Sequence, residues 1–158
     1  MGTRCGDLDP GVVLHLIDTE GMSTAEVSRM LYHQSGLLGL SGGLSNDMRV
    51  LCEAGNEEGN RTIAYFVNRV CTKIASMAAA IQGMDLLVFT AGIGENSAQI
   101  RREVCQRIGW LGVEFDEQSN SEGRGERVIS TPNSKIKVMV IPTDEELVIV
   151  RSTRELVA

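Results

Sequence analysis

The chain has 158 residues, and its 42% hydrophobic and 23% charged content is ordinary for a globular domain with its own core. Its net charge of −6 argues against a nucleic acid or an anionic membrane as a partner held by bulk charge. No apolar run approaches the length of a membrane span and no apolar signal region opens the chain, which together predict a cytoplasmic protein.

The first part of the chain predicts short helices joined by turns. Pro10 suits the first turn of a helix that Asp9 caps. Ser23 and Glu26 have the spacing of a capping box, which opens a second helix. Further along, the pattern predicts a glycine-rich loop with buried leucines at residues 36–45, a helix start at 46–49 and an acidic loop at 53–59.

A long amphipathic helix is predicted from about residue 60 to 82, where Gly83 ends it. Its apolar residues recur every three or four positions and are expected in the core: Ile63, Phe66, Val67, Val70, Ile74, Met77, Ala78 and Ile81. The apolar run at 86–90 shows no alternation, which predicts a fully buried strand. A long helix that leads into such a strand is typical of an α/β fold.

A glycine turn at residues 91–94 joins this strand to an amphipathic helix at 98–108, which residues 95–97 open. Glycines let the backbone approach a ligand, and the N–H groups of a first helical turn attract anions. Many such turns bind nothing, so the spacing leaves both interpretations open. A Rossmann-type dinucleotide fingerprint does not fit, because Ser97 replaces its third glycine and the acidic residue expected about 20 positions on is missing.

The last part of the chain predicts three short strands and one helix. The strands are expected at residues 113–115, 128–131 and 136–141, with an exposed charged loop at 117–127. Thr143 and Glu146 have capping-box spacing. They are expected to open a packed helix whose apolar residues are Leu147, Ile149, Val150 and Leu156.

The cysteines and histidines predict no metal site. None of the four cysteines has a C-x-x-C spacing, and Cys71 and Cys105 fall on apolar helical faces, which indicates reduced core thiols. The two histidines, His15 and His33, lie in separate helices without acidic partners at ligand spacing. Both are therefore expected to be structural.

Four motifs together are far more specific than a lone glycine turn. They are TRCGDLDP at residues 3–10, SGLLGL at 35–40, FTAGIGEN at 89–96 and IPTDEEL at 141–147. Their order and intervals resemble those of the acetate kinase family over essentially the whole chain. The departures are Cys5, where the family commonly has serine, Ala91, where glycine is usual, and Asp144, where asparagine is common.

The resemblance implies an α/β fold, part of a ribonuclease-H-like domain of the actin-like ATPase superfamily, with a helical N-terminal part. It implies reversible transfer of the γ-phosphoryl group of ATP to acetate, which gives acetyl phosphate and ADP, with Mg²⁺ as cofactor and a homodimer as the assembly. ATP and acetate are then the small-molecule partners, without nucleic acid or membrane.

The resemblance also predicts how much of the family's enzyme is present. Residues 1–158 correspond to a single C-terminal domain portion, and the N-terminal catalytic domain is absent. That domain carries the family's acidic catalytic residue, a transition-state histidine, an acetate-side arginine and a phosphate-contacting asparagine. We therefore expect this chain alone to be inactive as a kinase.

Two residues match the family's transition-state and metal-binding positions. Arg4 matches a catalytic arginine, and a planar guanidinium can bridge two equatorial oxygens of a loose phosphoryl transition state. Glu145 matches the Mg²⁺ ligand, and Mg²⁺ prefers a few carboxylate oxygens together with water and phosphate. The alternative is that Asp144, Glu145 and Glu146 merely favour a helix N-terminus electrostatically, and Glu146 fits this alternative through its capping box.

Two segments match nucleotide-contacting parts of the family. They are Asp47, Met48 and Arg49, which line the adenosine, and the later segment Gly92, Ile93, Gly94, Glu95 and Asn96. A carboxylate can accept ribose hydroxyls, and a guanidinium can stack on a base. Because a carboxylate repels phosphate, Glu95 is expected to face a backbone group or the sugar.

Two alternatives stay open. A portion of a propionate or butyrate kinase would have the same motifs, because the family's acyl pocket lies largely in the absent domain. A non-catalytic remnant that only folds and self-associates is the other alternative, since an isolated portion exposes apolar surface where its partner domain packs.

Overall fold

The structure is a computed structural model that describes residues 2–157, apart from the side chains of residues 145 and 148. It divides into two compact units, Met1–Arg69 (unit 1) and Val70–Ala158 (unit 2), and the division lies within a long helix. The single C-terminal portion expected over residues 1–158 stays a prediction. Across the described residues, no helix combines the length and the apolar character that crossing a membrane requires.

Unit 1 is helical, and its first two helix starts are as predicted. Asp9 accepts a hydrogen bond from the N–H of Gly11 at 2.7 Å, and Ser23 and Glu26 form both hydrogen bonds of the capping box. The helices are α1 (Pro10–Asp18), α2 (Thr24–His33), α3 (Gly36–Leu40), α4 (Met48–Ala54) and the first part of α5 (Glu57–Ala80).

The two loops predicted in unit 1 are largely helical. The segment 36–45 begins with α3. Leu37 is the only fully buried leucine of this segment, whereas Leu40 and Leu44 are 39% and 44% exposed. In place of the acidic loop predicted at 53–59, the structure has only a short turn between α4 and α5. Gly55 ends α4 with a φ of 59°, and Asn56 accepts a hydrogen bond from the N–H of Gly59 at 2.8 Å at the start of α5.

Helix α5 starts three residues earlier than predicted and keeps the expected apolar stripe only in part. Ile63, Phe66 and Val67 are buried, as predicted. Met77 and Ile81, which the periodicity also assigned to the core, are 66% and 72% exposed. The period identifies which side of a helix is apolar, but tertiary packing decides whether that side is covered.

Unit 2 is a small mixed sheet with helices. The strands β1 (Leu86–Phe89), β2 (Arg127–Val128) and β3 (Lys137–Val140) have the order β1-β3-β2, with β1 parallel and β2 antiparallel to β3. The helices that follow α5 are α6 (Ala91–Asn96), α7 (Ala98–Arg107), a 3₁₀ turn (Gly109–Leu111), α8 (Glu117–Glu122) and α9 (Glu145–Val157).

One face of the sheet forms the core of unit 2. Phe89, Val138 and Val140 are each less than a tenth exposed, and Ile100, Val104 and Ile108 of the α7 segment are buried as well. The prediction of a fully buried β1 is wrong. Leu86 and Val88 are 48% and 38% exposed, because β1 is an edge strand whose second face is uncovered within the unit.

Three further predictions for unit 2 are corrected. In place of the strand predicted at 113–115, the structure has a single antiparallel bridge between Phe115 and Ser130. In place of the strand predicted at 128–131, it has the two-residue strand β2 and the Ser130 side of this bridge. The exposed loop at 117–127 contains α8, which Asp116 caps by accepting from the N–H of Ser119 at 3.1 Å. Asn120 of α8 is only 1% exposed. Six residues without an apolar stripe give no periodic signal, so the helix was missed.

Helix α9 begins differently from the prediction, and the apolar side chains that the structure describes on it are exposed rather than packed. Asp144, not Thr143, caps it by accepting from the N–H of Leu147 at 2.9 Å. The hydroxyl of Thr143 instead contacts Thr90, at 2.6 Å from its oxygen. The apolar side chains of α9 are largely exposed, namely Leu147 at 40%, Ile149 at 66%, Val150 at 60% and Leu156 at 87%.

The prediction that Cys71 and Cys105 are reduced thiols in the core is confirmed, since both are buried and free. Burial raises the pKa of the Cys105 thiol from 9.0 to about 12. This thiol therefore contributes stability that is complete below about pH 9 and is lost as the pH rises toward 12, because the unfolded chain ionises first.

We predict that the stability difference between the wild type and Cys105→Ala shrinks by about 1.4 kcal/mol from about pH 8 to pH 10. Urea unfolding at both pH values measures it. The control is Val104→Ala, another buried position of α7, whose difference from the wild type should not change with pH. A Cys105→Ala difference that is constant with pH would contradict the prediction.

Candidate functional site

The segment after β1 is itself helical. Where the sequence predicted a glycine turn and one helix opened by residues 95–97, the structure has two helices, α6 and α7, separated by Ser97. The hydroxyl of Ser97 caps α7 by accepting from the N–H of Ile100 at 3.3 Å. The predicted segment Gly92–Asn96 thus forms nearly all of α6.

The junction of β1 and α6 is strained. Ala91 has a φ of 58°, in the left-handed region that disfavours a residue with a Cβ. Its N–H donates to the hydroxyl oxygen of Thr143 at 3.1 Å. Thr143 thus fixes the start of α6 from the segment that follows β3.

Close packing against β1 requires glycine within α6. A Cβ on Gly94 would lie 3.2 Å from the backbone carbonyl carbon of Phe89, which is closer than ordinary contact. A Cβ on Gly92, in contrast, would have no atom within 4 Å. The second glycine of the motif therefore lets α6 lie directly against the end of the strand.

Glu95 contacts a backbone group, as expected. Its Oε1 accepts from the N–H of Thr143 at 2.8 Å, and this hydrogen bond lowers the pKa of the Glu95 carboxyl. Asn96 donates from Nδ2 to the carbonyl oxygen of Gly92 at 2.8 Å. Both polar side chains of the motif are thus engaged in holding local backbone, while their part in nucleotide binding stays a prediction.

A buried arginine that the sequence reasoning missed holds the other end of α6. Arg101 of α7 is 2% exposed, and its Nη1 donates to the carbonyl oxygens of Gly94 and Glu95, each at 2.8 Å. Its Nε donates to Oδ1 of Asn120 at 2.7 Å, and its Nη2 to the carbonyl oxygen of Asn120 at 3.0 Å. Burial, and then the charge of Arg127, lower the pKa of Arg101.

A sequence signal for Arg101 existed. Arg101 precedes Val104, Cys105 and Ile108 by three, four and seven residues, so it lies in phase with the buried stripe of its helix. An arginine at such a position must find oxygen partners inside the protein.

A cavity of about 340 Å³ lies beside α6 in unit 2. Its charged lining residues are Glu95, Arg101, Arg124 and Arg127, which leaves an excess of two positive charges. The side chain of Arg127 crosses Gly123 so closely that a Cβ there would lie 2.1 Å from its Cδ. A concave site with this charge balance suits an anionic ligand.

In unit 1, Arg4 lies on a segment that is fixed to the end of α2. The N–H of Cys5 donates to the carbonyl oxygen of Leu31 at 3.0 Å, and the N–H of Ser35 donates to that of Thr3 at 2.9 Å. The guanidinium carbon of Arg4 lies 5.7 Å from the centre of the Tyr32 ring, within the range of a cation–π contact.

The second predicted segment of unit 1 forms the start of α4. Asp47 caps this helix by accepting from the N–H of Arg49 at 2.8 Å, and Arg49 Nη2 lies 3.7 Å from Asp47 Oδ2. The side chain of Arg49 is 77% exposed, whereas Met48 is only 5% exposed and lies in the core. The structure therefore leaves Asp47 and Arg49 accessible to a ligand, but not the side chain of Met48.

The remaining predicted site residue is Glu145, the first residue of α9, whose side chain lies outside the described part of the chain. Among the side chains that the structure does describe, no group of three or more histidine, cysteine, aspartate or glutamate residues could hold a metal ion. His15 lies on the surface, where its Nε2 is 3.3 Å from Oε1 of Glu20.

Comparisons with known proteins agree over nearly the whole chain. The sequence model of the acetokinase family matches residues 1–151. The acetate kinase of Rhodopseudomonas palustris strain TIE-1 is 48% identical over 151 residues, which are 96% of this chain and 38% of that protein.

Solved structures give the same picture. The crystal structure of Porphyromonas gingivalis acetate kinase has a TM-score of 0.90 and 41% identity, and the match covers 100% of this chain and 40% of that one. The crystal structure of a propionate kinase from Francisella tularensis has a TM-score of 0.85 and 41% identity. This match covers 94% of this chain and 38% of that one. The chain thus spans about two fifths of the length of these relatives. The predicted fold class, a partial α/β fold of the actin-like ATPase type with a helical N-terminal part, is confirmed.

We predict that Ala91→Gly raises the free energy of unfolding by about 0.5–1 kcal/mol. Relief of the left-handed strain gives about 1–2 kcal/mol, and the extra freedom of glycine in the unfolded chain offsets about 0.5–1. Urea unfolding measures it. The control Ala75→Gly, in the middle of α5, should lower stability by about 1 kcal/mol. Equal destabilisation by both variants would contradict the prediction.

Arg101→Met should lower the free energy of unfolding by about 2–4 kcal/mol, because it leaves buried carbonyl groups of α6 and Asn120 without their donor. The neighbouring variant Arg102→Met is the control. Arg102 pairs with Glu117 at 2.8 Å on the surface, so its loss should change stability by less than about 1 kcal/mol. Equal effects of the two substitutions would show that Arg101 does not hold α6.

Proposed function

Because the chain belongs to the acetokinase family, we propose that it supplies the nucleotide-binding part of an acetate kinase, which converts ATP and acetate to ADP and acetyl phosphate. The observation that carries the proposal is the fixation of α6 from both ends, by Thr143 and by Arg101. A binding segment held in one geometry by hydrogen bonds from its surroundings pays less ordering entropy when ligand binds.

Two segments, each described by itself, are assigned nucleotide contacts in this proposal because they match the family's motifs. In unit 1, the carboxylate of Asp47 accepts ribose hydroxyls and the exposed guanidinium of Arg49 stacks on the base. In unit 2, the backbone of Gly92 to Asn96 approaches the nucleotide. The excess positive charge of the neighbouring cavity supports an anionic ligand there.

Arg4 is proposed to stabilise the transferring phosphoryl group. The transition state spreads negative charge over equatorial oxygens, and a guanidinium can donate two parallel N–H bonds to them. The fixed position of its segment on α2 supports this role, because a donor at a frayed end would first have to be ordered.

Mg²⁺ would be held by Glu145, with water and nucleotide phosphates as the remaining ligands. Asp144 already accepts a hydrogen bond as the helix cap and Glu95 accepts one from Thr143, so Glu145 is the carboxylate that the proposal assigns to the metal. A cation bound through one carboxylate requires no cluster of protein ligands. When bound, Mg²⁺ neutralises phosphate charge during the transfer.

The assembly and the location are proposed from the same resemblance. A homodimer is supported by the apolar side chains that α9 exposes, including Ile149 and Leu156. A cytoplasmic location is supported by the buried free thiols. A portion of a propionate kinase is the second candidate, because the Francisella tularensis propionate kinase matches this chain at 41% identity, as the Porphyromonas gingivalis acetate kinase does.

Nucleotide binding tests the proposal. We predict that the 158-residue chain binds Mg²⁺–ADP and that Arg49→Gln weakens the Kd about five- to tenfold, as loss of a cation–π contact would. Isothermal titration calorimetry measures it. Arg61→Gln on the exposed side of α5 removes the same charge and should leave the Kd unchanged.

Equal Kd values for wild type, Arg49→Gln and Arg61→Gln would exclude Arg49 from the site. Trapping acetyl phosphate as the hydroxamate tests the expected inactivity in the same samples. The chain alone should form none from ATP and acetate, and formation above a vector-only control would refute that expectation.

A further inference from the structure

Among the side chains that the structure describes, Arg4 contacts an aromatic ring and not an anionic side chain. Its guanidinium carbon lies 5.7 Å from the centre of the Tyr32 ring. Within the part of the chain that the structure describes, this guanidinium makes no hydrogen bond and no ion pair. Its five N–H donors, which lie in the guanidinium plane, are therefore uncommitted.

The backbone around Arg4 brings the two side chains together. The hydroxyl of Thr3 donates to the carbonyl oxygen of Tyr32 at 2.9 Å, while Cys5 donates to Leu31. The residues on both sides of Arg4 are thus tied to the last turn of α2. Tyr32, which belongs to that turn and is 54% exposed, presents its ring on the surface to the arginine.

A cation–π partner differs in kind from an ion-pair partner. A carboxylate would fix an arginine by occupying its N–H donors and cancelling its charge. An aromatic ring attracts the guanidinium through its face and leaves both the charge and the donors available. A side chain that must present two donors to an anion benefits from the second arrangement.

We propose that Tyr32 is a positioning residue for Arg4: its ring holds the guanidinium by a cation–π contact and leaves the N–H donors free for a phosphoryl oxygen. The proposal deepens the function proposed above and rests on the role of Arg4 in that function. Without the ring, the long side chain samples many rotamers, and anion binding must restrict them. None of the four sequence motifs contains Tyr32, so the sequence alone gives no signal for this role.

The test uses the 158-residue chain with the side-chain Nε–Hε group of Arg4 observed by NMR. Four proteins are compared: wild type, Tyr32→Phe, Tyr32→Leu and the control Tyr65→Leu. Tyr65, the other tyrosine of the chain, lies on α5 and is 47% exposed, so its replacement matches the loss of apolar surface. Pyrophosphate is the anionic probe.

The Hε resonance of Arg4 should show an upfield ring-current shift in wild type, Tyr32→Phe and Tyr65→Leu, and lose it in Tyr32→Leu. The Kd for pyrophosphate, followed at the same resonance, should rise about two- to fivefold in Tyr32→Leu alone. Rescue by phenylalanine distinguishes the contact with the ring from a role of the tyrosine hydroxyl. Unchanged backbone resonances elsewhere in unit 1 separate positioning from loss of structure.

Two results would overturn the proposal. The first is an Hε resonance that is the same in Tyr32→Leu and wild type, which would show that the ring does not hold Arg4. The second is a pyrophosphate Kd that is equal in all four proteins. If pyrophosphate does not perturb Arg4 in the wild type at all, the phosphate role of Arg4 fails, and the ring-current comparison still decides whether Tyr32 holds it.

Discussion

The buried guanidinium of Arg101 is the constraint on which the candidate site of unit 2 depends. A buried charge is strongly unfavourable unless polar partners surround it, and the hydrogen bonds of Arg101 go to carbonyl and amide oxygens. These oxygens belong to α6 and α8. Helix α6 is too short to be stable alone, and its terminal carbonyls lie in the protein, so the arginine acts as its C-terminal cap. Together with the hydrogen bonds of Thr143 to Ala91 and Glu95, this side chain fixes the position of the Gly92–Asn96 segment.

Local chemistry made part of this structure predictable. The caps at Asp9 and Ser23 are decided within four residues, and no distant group competes for their donors. The contact of Glu95 with backbone was predictable from the repulsion between carboxylate and phosphate. Thr143 shows the limit of such reasoning. Its spacing to Glu146 is right for a capping box, but its hydroxyl lies beside Thr90, and Asp144 takes the cap. A local pattern fails where a partner distant in sequence offers a better hydrogen bond.

Burial was the least predictable property. The apolar run of β1 and the stripe of α5 are correctly recognised as strand and helix, yet Val88 and Met77 are exposed. Periodicity reports which residues can be buried, and only the presence of a covering element buries them. For the same reason Arg101 was missed, since its position marks it as buried while its residue type suggests the surface. The burial of Met48, at 5% exposure, was likewise not predicted, because the motif describes it only as part of a nucleotide-contacting segment.

The left-handed conformation of Ala91 also limits how α6 can move. Glycine at this position could range over a wide area of backbone torsion angles, whereas alanine is confined to a narrow basin. The junction between β1 and α6 is therefore a stiff joint, and rotation of α6 about it would force the methyl group into its own backbone. Any adjustment of this segment to a ligand must then be a displacement of α6 together with the end of β1, or a change at Ser97, where the chain is extended between two helices.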